Sequence, residues 1–320
     1  LKKLKEIMKL LNITARFFAA LTIFCFVLAH AQANDNTPLY RVKKSEKTMY
    51  LLASAHMLSQ DDYPLSKKLP EALKSSDVLV VEAKGSFLSQ ENFPIVEELL
   101  KLPLGKGAAD YVGKQEFEYA LSLVNPQFFK YKDSLLDVVK KSHPYLLTIL
   151  IENSTPSPLE FIPAIGIDRY MLDLAAKKGM RIEELEGVKH NSMSYLKMLS
   201  ENEVKSMLTG VVKLNQSQEL RVRLGTNAKQ MLQAYREGDL KKLSDLEFNA
   251  CSNILNYPLT YCKTIFTARN NFMTQKIEEY FQKTETYLVV LGCSHFVGND
   301  GVLDGLRKKG YQIDIFQQNK

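Results

Sequence analysis

An apolar strand that runs into a turn of small residues and then a histidine occurs twice in this chain, once near each end. Thr48-Met49-Tyr50-Leu51-Leu52 leads into Ala53-Ser54-Ala55-His56, and Tyr287-Leu288-Val289-Val290-Leu291 leads into Gly292-Cys293-Ser294-His295. A third run, Asp77-Val78-Leu79-Val80-Val81-Glu82, is apolar without alternation and ends in a carboxylate. A strand apolar on both faces belongs in the middle of a covered sheet, which favours parallel pairing. Open α/β sheets bind ligands beyond the carboxyl ends of their strands. The pattern therefore predicts that His56, Glu82 and His295 reach one edge. Gly and Ala in the turns let the backbone bend sharply and approach a ligand closely.

The rest of the chain fits around those strands. Leu39–Val42 and Thr48–Ala53 read as a hairpin, Pro64–Ser75 has helical spacing, and residues 90–150 look helical, punctuated by Pro103, Gly105-Lys106-Gly107 and Pro126. Three prolines make Ser154–Pro163 a loop. Ile167–Lys178 is a helix stopped by Gly179, and Met180–Leu185 is a short strand ending at Glu186. Ser192 to about Asn249 is a long helical region and Thr267–Gln282 a further amphipathic helix. A turn at Gly298–Gly301, a helix to Lys309 and a strand at Gln312–Phe316 close the chain. The expected fold is one α/β domain over residues 32–320. Its central sheet is mainly parallel or mixed, with N- and C-terminal strands enclosing a helical insertion at about 190–265.

Charge excludes one function class. The formal net charge is +6, but Lys2, Lys3, Lys5, Lys9 and Arg16 lie within the first 31 positions with only Glu6 against them. Removing those from totals of 42 basic and 36 acidic residues leaves 37 and 35. A nearly neutral body without a Lys/Arg cluster is not built to bind nucleic acid. The basic start, the apolar run Phe17–Leu28 and the Ala29-His30-Ala31 or Ala31-Gln32-Ala33 steps read as a secretory signal over residues 1–31. The alternative, a membrane anchor, is disfavoured because the run is shorter than the ~20 residues a spanning helix needs. The expected compartment is periplasmic or secreted, with no membrane span after cleavage. There Cys251 and Cys262, eleven apart across Asn256-Tyr257-Pro258, are expected to form a disulfide, leaving Cys293 free.

Two His and one Glu converging from strand ends are a common set of ligands for a catalytic divalent metal, with positions left for water and substrate. Other residues carry two readings each. Asp168 is either a helix N-cap or a substrate-binding residue, and Glu186 either edges the site or serves as a structural acceptor. His190 is a fourth nitrogen ligand or, better, a surface loop residue. His143, before Pro144, is structural. Cys293 is a thiolate nucleophile with a histidine base or, better, a small residue filling a turn.

Taken in order, Tyr50–His56, Tyr63-Pro64-Leu65, Asp77–Glu82, Gly166–Met171, Leu185-Glu186, Arg269-Asn270, Gly292–Gly298, Gly301 and Gly310-Tyr311 resemble the TraB/GumN family, whose eukaryotic relatives are the TIKI proteins. The resemblance covers most of the chain beyond residue 31. It implies an α/β fold and a metal-dependent hydrolase of peptides or amides using manganese, cobalt or zinc. It implies His56 and His295 as metal ligands and Glu82 as ligand or general base. Arg269 would offset developing negative charge, and Asn270 would orient substrate or water. The chain departs from the family pattern at Ala53, where glycine is usual, and at Gly187–Asn191, where a Thr and a Gln are usual. A non-catalytic periplasmic protein that binds or sequesters a peptide or signal in the same cleft is the competing expectation.

Overall fold

A computed structural model of the chain describes residues 36–56, 58–85, 89, 91–127, 135–155, 166–190 and 199–317. The signal-like segment, most of the Ser154–Pro163 loop and the start of the long helical region at 191–198 lie outside the described residues.

Six strands form one mixed sheet: β1 (Leu39–Lys44), β2 (Lys47–Ser54), β3 (Val78–Val81), β4 (Arg181–Glu184), β5 (Tyr287–Gly292) and β6 (Gln312–Ile315), in the order β4-β3-β5-β2-β1-β6. The hairpin pairs Leu39 with Leu52, and β6 lies antiparallel on the outer side of β1. β4, β3, β5 and β2 are all parallel. The two unalternating runs, β3 and β5, are buried at every position and neighbour each other in the middle, as their apolar pattern demands. β5 thus lies between β3 and β2, so the three strands that end in Glu82, His295 and His56 are side by side with their carboxyl ends together.

The described residues form twelve helices besides the sheet. They are α1 (Lys68–Lys74), α2 (Phe93–Leu100), α3 (Ala108–Val112), α4 (Lys114–Ser122), α5 (Leu135–Lys141), α6 (Tyr145–Ser154), α7 (Ile167–Lys177), α8 (Glu201–Gln216), α9 (Gln218–Glu237), α10 (Leu240–Asn249), α11 (Leu259–Gln282) and α12 (Val302–Lys308). Apolar side chains gather in two clusters. One contains the sheet with α7, α9, α10, α12 and the second half of α11; the other contains α2–α6, α8 and the start of α11. The helical middle therefore divides. α9 and α10 cover the sheet, while α8 packs with α2–α6. A single π-helical turn, Ala250–Ile254, follows α10, and Cys251 within it is bridged to Cys262 in the first turn of α11. Cys293 is free and buried. Among the described residues no helix is long and apolar enough to cross a membrane.

Ala53 sits comfortably where the family pattern has glycine. It lies inside β2 opposite Leu291, fully buried, and is not among the positive-φ residues. Any L-residue adopts extended backbone, so the methyl group meets no strain.

Candidate functional site

The carboxyl ends of the four parallel strands each deliver a titratable side chain to one region: His56 after β2, Glu82 after β3, Glu186 after β4 and His295 after β5. His56, Glu82 and His295 line a common cavity of about 250 Å³ together with Arg269. The two histidine motifs are alike in sequence but one residue out of step in space. Ser54, not Ala53, is the parallel partner of Gly292. After Gly292 the chain turns into a short 3-10 segment, Cys293–Phe296, which carries His295 back over the strand end.

Gly292 is the point on which the three side chains close. A Cβ placed there would stand 3.1 Å from Glu82 Oε1, 3.2 Å from His56 Nε2 and 3.4 Å from His295 Cδ2. The Gly292 N–H donates to Glu82 Oε1 in a short hydrogen bond. The small residue in the second motif thus makes room for the groups themselves.

Each imidazole is gripped at Nδ1. His56 Nδ1 is 2.7 Å from Asp168 Oδ2, an oxygen that also accepts from Ser54 Oγ at 2.6 Å. α7 sets this pair in place. The Ile167 N–H donates to the Ala55 carbonyl, and Gly166 packs so tightly on the turn that a Cβ would overlap the His56 carbonyl oxygen. Gly166 is the N-cap of α7, so the N-cap reading of Asp168 gives way to a first-turn residue that holds His56. His295 Nδ1 is 2.6 Å from Asn270 Oδ1. An amide oxygen only accepts, so with this amide assignment His295 carries its proton on Nδ1 and leaves Nε2 free. Asn270 therefore stands behind His295, 3% exposed, and holds the imidazole.

Glu82, Arg269 and Glu186 form a chain of ions. Arg269 Nη2 lies 2.9 Å from Glu82 Oε2 and 2.6 Å from Glu186 Oε2, and Arg269 Nε adds bonds of 3.0 and 3.1 Å to Glu186. The strand ends are laced to suit, with the N–H groups of Glu186 and Gly187 both donating to the Glu82 carbonyl. Adjacent positions on α11 thus serve the two halves of the site, Arg269 the carboxylates and Asn270 an imidazole. Glu186, its side chain 1% exposed, is the structural acceptor.

These contacts set the charges. Burial works against protonation of His56, but the Asp168 carboxylate, with help from Glu82, outweighs it and raises the pKa to about 9. The ring is open to solvent, with 59% of its side chain accessible. Burial lowers His295 to about 3, so that imidazole is neutral. Burial also tends to raise the Glu82 carboxyl, while the charges of His295, Arg269 and His56 and the Gly292 N–H lower it further than burial lifts it. With His295 held neutral, Arg269, His56 and the N–H carry that lowering. Burial lifts Glu186 to about 7 despite Arg269. Cys293, 8% exposed, has its thiol pushed far up by burial, which removes it as a thiolate nucleophile at neutral pH.

Two further histidines lie outside the lining of the cavity. His190 stacks on Phe272 at 4.8 Å, and its Nδ1 meets the Glu186 carbonyl at 3.3 Å. The His143 ring packs near Tyr111 at 5.9 Å and is structural. The sequence reading singled out none of the residues that line the cavity from α9 and α10, and one of them is charged: Glu247, on α10. A glutamate in a lysine- and acid-rich helix carries no signal that separates it from its solvated neighbours.

In kind, the donors suit a divalent ion. Both imidazoles have Nδ1 engaged by an oxygen acceptor, the arrangement that fixes a metal-ligating histidine; Nε2 is free on the neutral His295, while the cationic His56 would release its Nε2 proton on taking an ion, and Glu82 keeps a second lone pair on each oxygen. Among the described residues no group of three His, Cys, Asp or Glu side chains already stands as a coordinating cluster, so the fit is one of chemistry and not of a preformed cage.

A family model described as the TraB/PrgY/gumN family matches residues 38–315. Neither the curated proteins nor the solved structures contain a match to the chain.

Proposed function

This chain belongs to the TraB/PrgY/gumN family, and from that premise we propose that it is an exported, metal-dependent hydrolase of peptide or amide bonds, acting in the cavity at the carboxyl ends of β2, β3 and β5. The observation that carries the proposal is the paired restraint of the two imidazoles. Asp168 and Asn270 each take an Nδ1, and Nε2 of His56 stands over Gly292 beside Glu82. The Cys251–Cys262 bridge supports the exported part, since disulfides persist in oxidising compartments.

In this proposal His56 and His295 would hold the ion through Nε2, with Glu82 beside them; the ion, manganese, cobalt or zinc, would supply Lewis acidity and a water of lowered pKa. Glu82 receives a proton from the attacking water at Oε1 or Oε2. Its carboxylate is aimed by the Gly292 N–H and Arg269, so it does not have to reorganise as charge develops. Arg269, already paired with two carboxylates, acts chiefly by fixing Glu82. Asp168 and Asn270 fix the imidazoles. The apolar wall opposite limits the water around the reacting bond.

Elemental analysis of protein purified without chelator, with hydrolysis of a peptide library as the second readout, tests the proposal. His56→Ala and His295→Ala should each lose both metal and hydrolysis while remaining folded. Glu82→Gln should lose hydrolysis and, if Glu82 serves only as base, keep most of the metal. A protein that only sequesters peptides would bind them equally well after chelation. Full metal content and unchanged hydrolysis in both folded histidine variants would overturn the hydrolase.

A further inference from the structure

Every charged group at the base of the cavity has a partner within the chain. His56 is paired with Asp168, and Arg269 with Glu82 and Glu186. Glu247 is different. It lines the same cavity from α10, is only partly exposed, and its carboxylate makes no hydrogen bond or ion pair among the described residues. The wall around it is apolar, built of Ala228, Met231 and Leu232 from α9 and Leu243 from α10. A carboxylate in such a wall loses hydration, and the charges of His56 and Arg269, which pair with other groups, return only part of that loss.

The partner that fits is a cation joined to an apolar group. The two cations that face Glu247, His56 and Arg269, are already committed to carboxylates of their own, so neither is free to answer it. Burial raises the Glu247 carboxyl to about 7, with His56 and Arg269 lowering it and Glu82 adding to the rise. That is the state of an acid waiting for a counter-charge, and an incoming ammonium would draw it back to the ionised form. The cavity, at about 250 Å³, has room for roughly one large side chain and the groups attached to it.

We infer that Glu247 is a specificity-determining residue that receives a primary ammonium of the substrate while α9 and the start of α10 receive the apolar group beside it. The inference rests on the site being the hydrolase site proposed above and names its substrate class: a peptide or amide whose apolar residue lies next to a free amine. The sheet then supplies the groups that act on the bond, and the helical layer supplies those that choose it. An α-ammonium at a chain terminus and the ε-ammonium of a lysine share this chemistry.

The test is a binding measurement on the folded, full-length protein in the presence of chelator, so that it does not depend on metal or hydrolysis. The probes are leucinamide, which offers an α-ammonium and an apolar side chain, hexylamine, which mimics lysine, and N-acetyl-leucinamide, which lacks the charge. Calorimetry should show binding of at least one amine, weakened tenfold or more by N-acetylation and by Glu247→Gln. Glu247→Asp, which keeps the charge, should recover part of the affinity, and a thermal melt establishes that both variants are folded. Binding of leucinamide alone assigns a chain terminus, of hexylamine alone a lysine; either supports the inference. No amine binding, or equal affinity in Glu247→Gln, overturns it. The hydrolase proposal fails separately, on metal content and the histidine variants, and amine binding would survive that failure.

Discussion

Replacing Gly292 by alanine isolates the role of the space at the centre of the site. Gly292 has φ −53° and ψ 134°, angles open to any L-residue, so the backbone itself does not require glycine. What the added methyl meets is Glu82 Oε1 at 3.1 Å, His56 Nε2 at 3.2 Å and His295 Cδ2 at 3.4 Å, and ordinary contacts to carbon begin at about 3.5 Å. Each group must retreat by a few tenths of an ångström, yet none is free to do so, because Arg269, Asp168 and Asn270 hold them from behind. Overpacking of this kind costs about 1–3 kcal/mol. A less flexible unfolded chain offsets about 0.4–1 kcal/mol of that, which leaves a net loss of about 1–2 kcal/mol and a Tm lower by roughly 2–8 °C.

The more telling readout is the titration of the imidazoles, followed by nuclear magnetic resonance; the chain has only 5 histidines to assign. Parting Glu82 from His56 removes one of the charges that raise His56, so its pKa should fall from about 9 while the Asp168 pair keeps it above the ordinary value. His143, outside the cavity, should titrate as before. A variant with unchanged Tm and unchanged His56 and His295 titrations would refute the argument that these side chains converge on Gly292.

Two further predictions concern the frame around the site. Mass spectrometry after alkylation without reduction should label Cys293 alone of Cys251, Cys262 and Cys293 once the protein is unfolded, and Cys251→Ala with Cys262→Ala should lower stability by about 3 kcal/mol for a loop of this length; labelling of all three thiols would contradict the bridge. His143 is held by burial near a pKa of about 4, and its Nδ1 accepts the Tyr145 N–H, which leaves no place for a proton there. Its folded pKa lies below the unfolded 6.5, so its contribution is fully present above pH 6.5 and is lost as pH falls towards 4, by up to about 3 kcal/mol. His143→Gln should flatten that part of the stability profile in denaturant titrations, and an unchanged acid slope would refute it.

The sheet and the three residues at its edge were legible because their signals are local. Unbroken apolar runs at 77–82 and 287–291 demand burial on both faces, and the only places such strands fit are the centre of a parallel sheet, where β3 and β5 lie. Once that is granted, the residue after each strand must reach the same edge. The partners behind the histidines were less legible. Asp168 looks like a helix cap because it sits at a helix start, and only the docking of Gly166 on the His56 carbonyl reveals what it faces. Asn270 and Arg269 are neighbours in sequence but point into different halves of the site, a distinction that the pitch of α11 makes and the dipeptide does not. The helical stretches from residue 90 onward were legible as such, but their division between two apolar clusters depends on contacts between helices far apart in sequence.

Glu247 shows why such contacts matter for function as well as fold. Helical amphipathicity says which face of α10 is buried; it does not say what lies beneath that face. Here the buried face of α9 and α10 covers the open end of a parallel sheet, so a residue at its margin looks down on the strand-end chemistry and not on core. The groups at the strand ends neutralise one another within the chain, through Asp168 for one imidazole and Arg269 for two carboxylates. Their arrangement is set by the sheet, α7 and α11, and α9 meets the strand end through the Tyr235 hydroxyl, which donates to the Ala53 carbonyl. On the inference drawn above, residues on α9 and α10 choose the substrate while those at the strand ends act on it, and Glu247, which lines the cavity with no hydrogen bond or ion pair among the described residues, is where that choice is made.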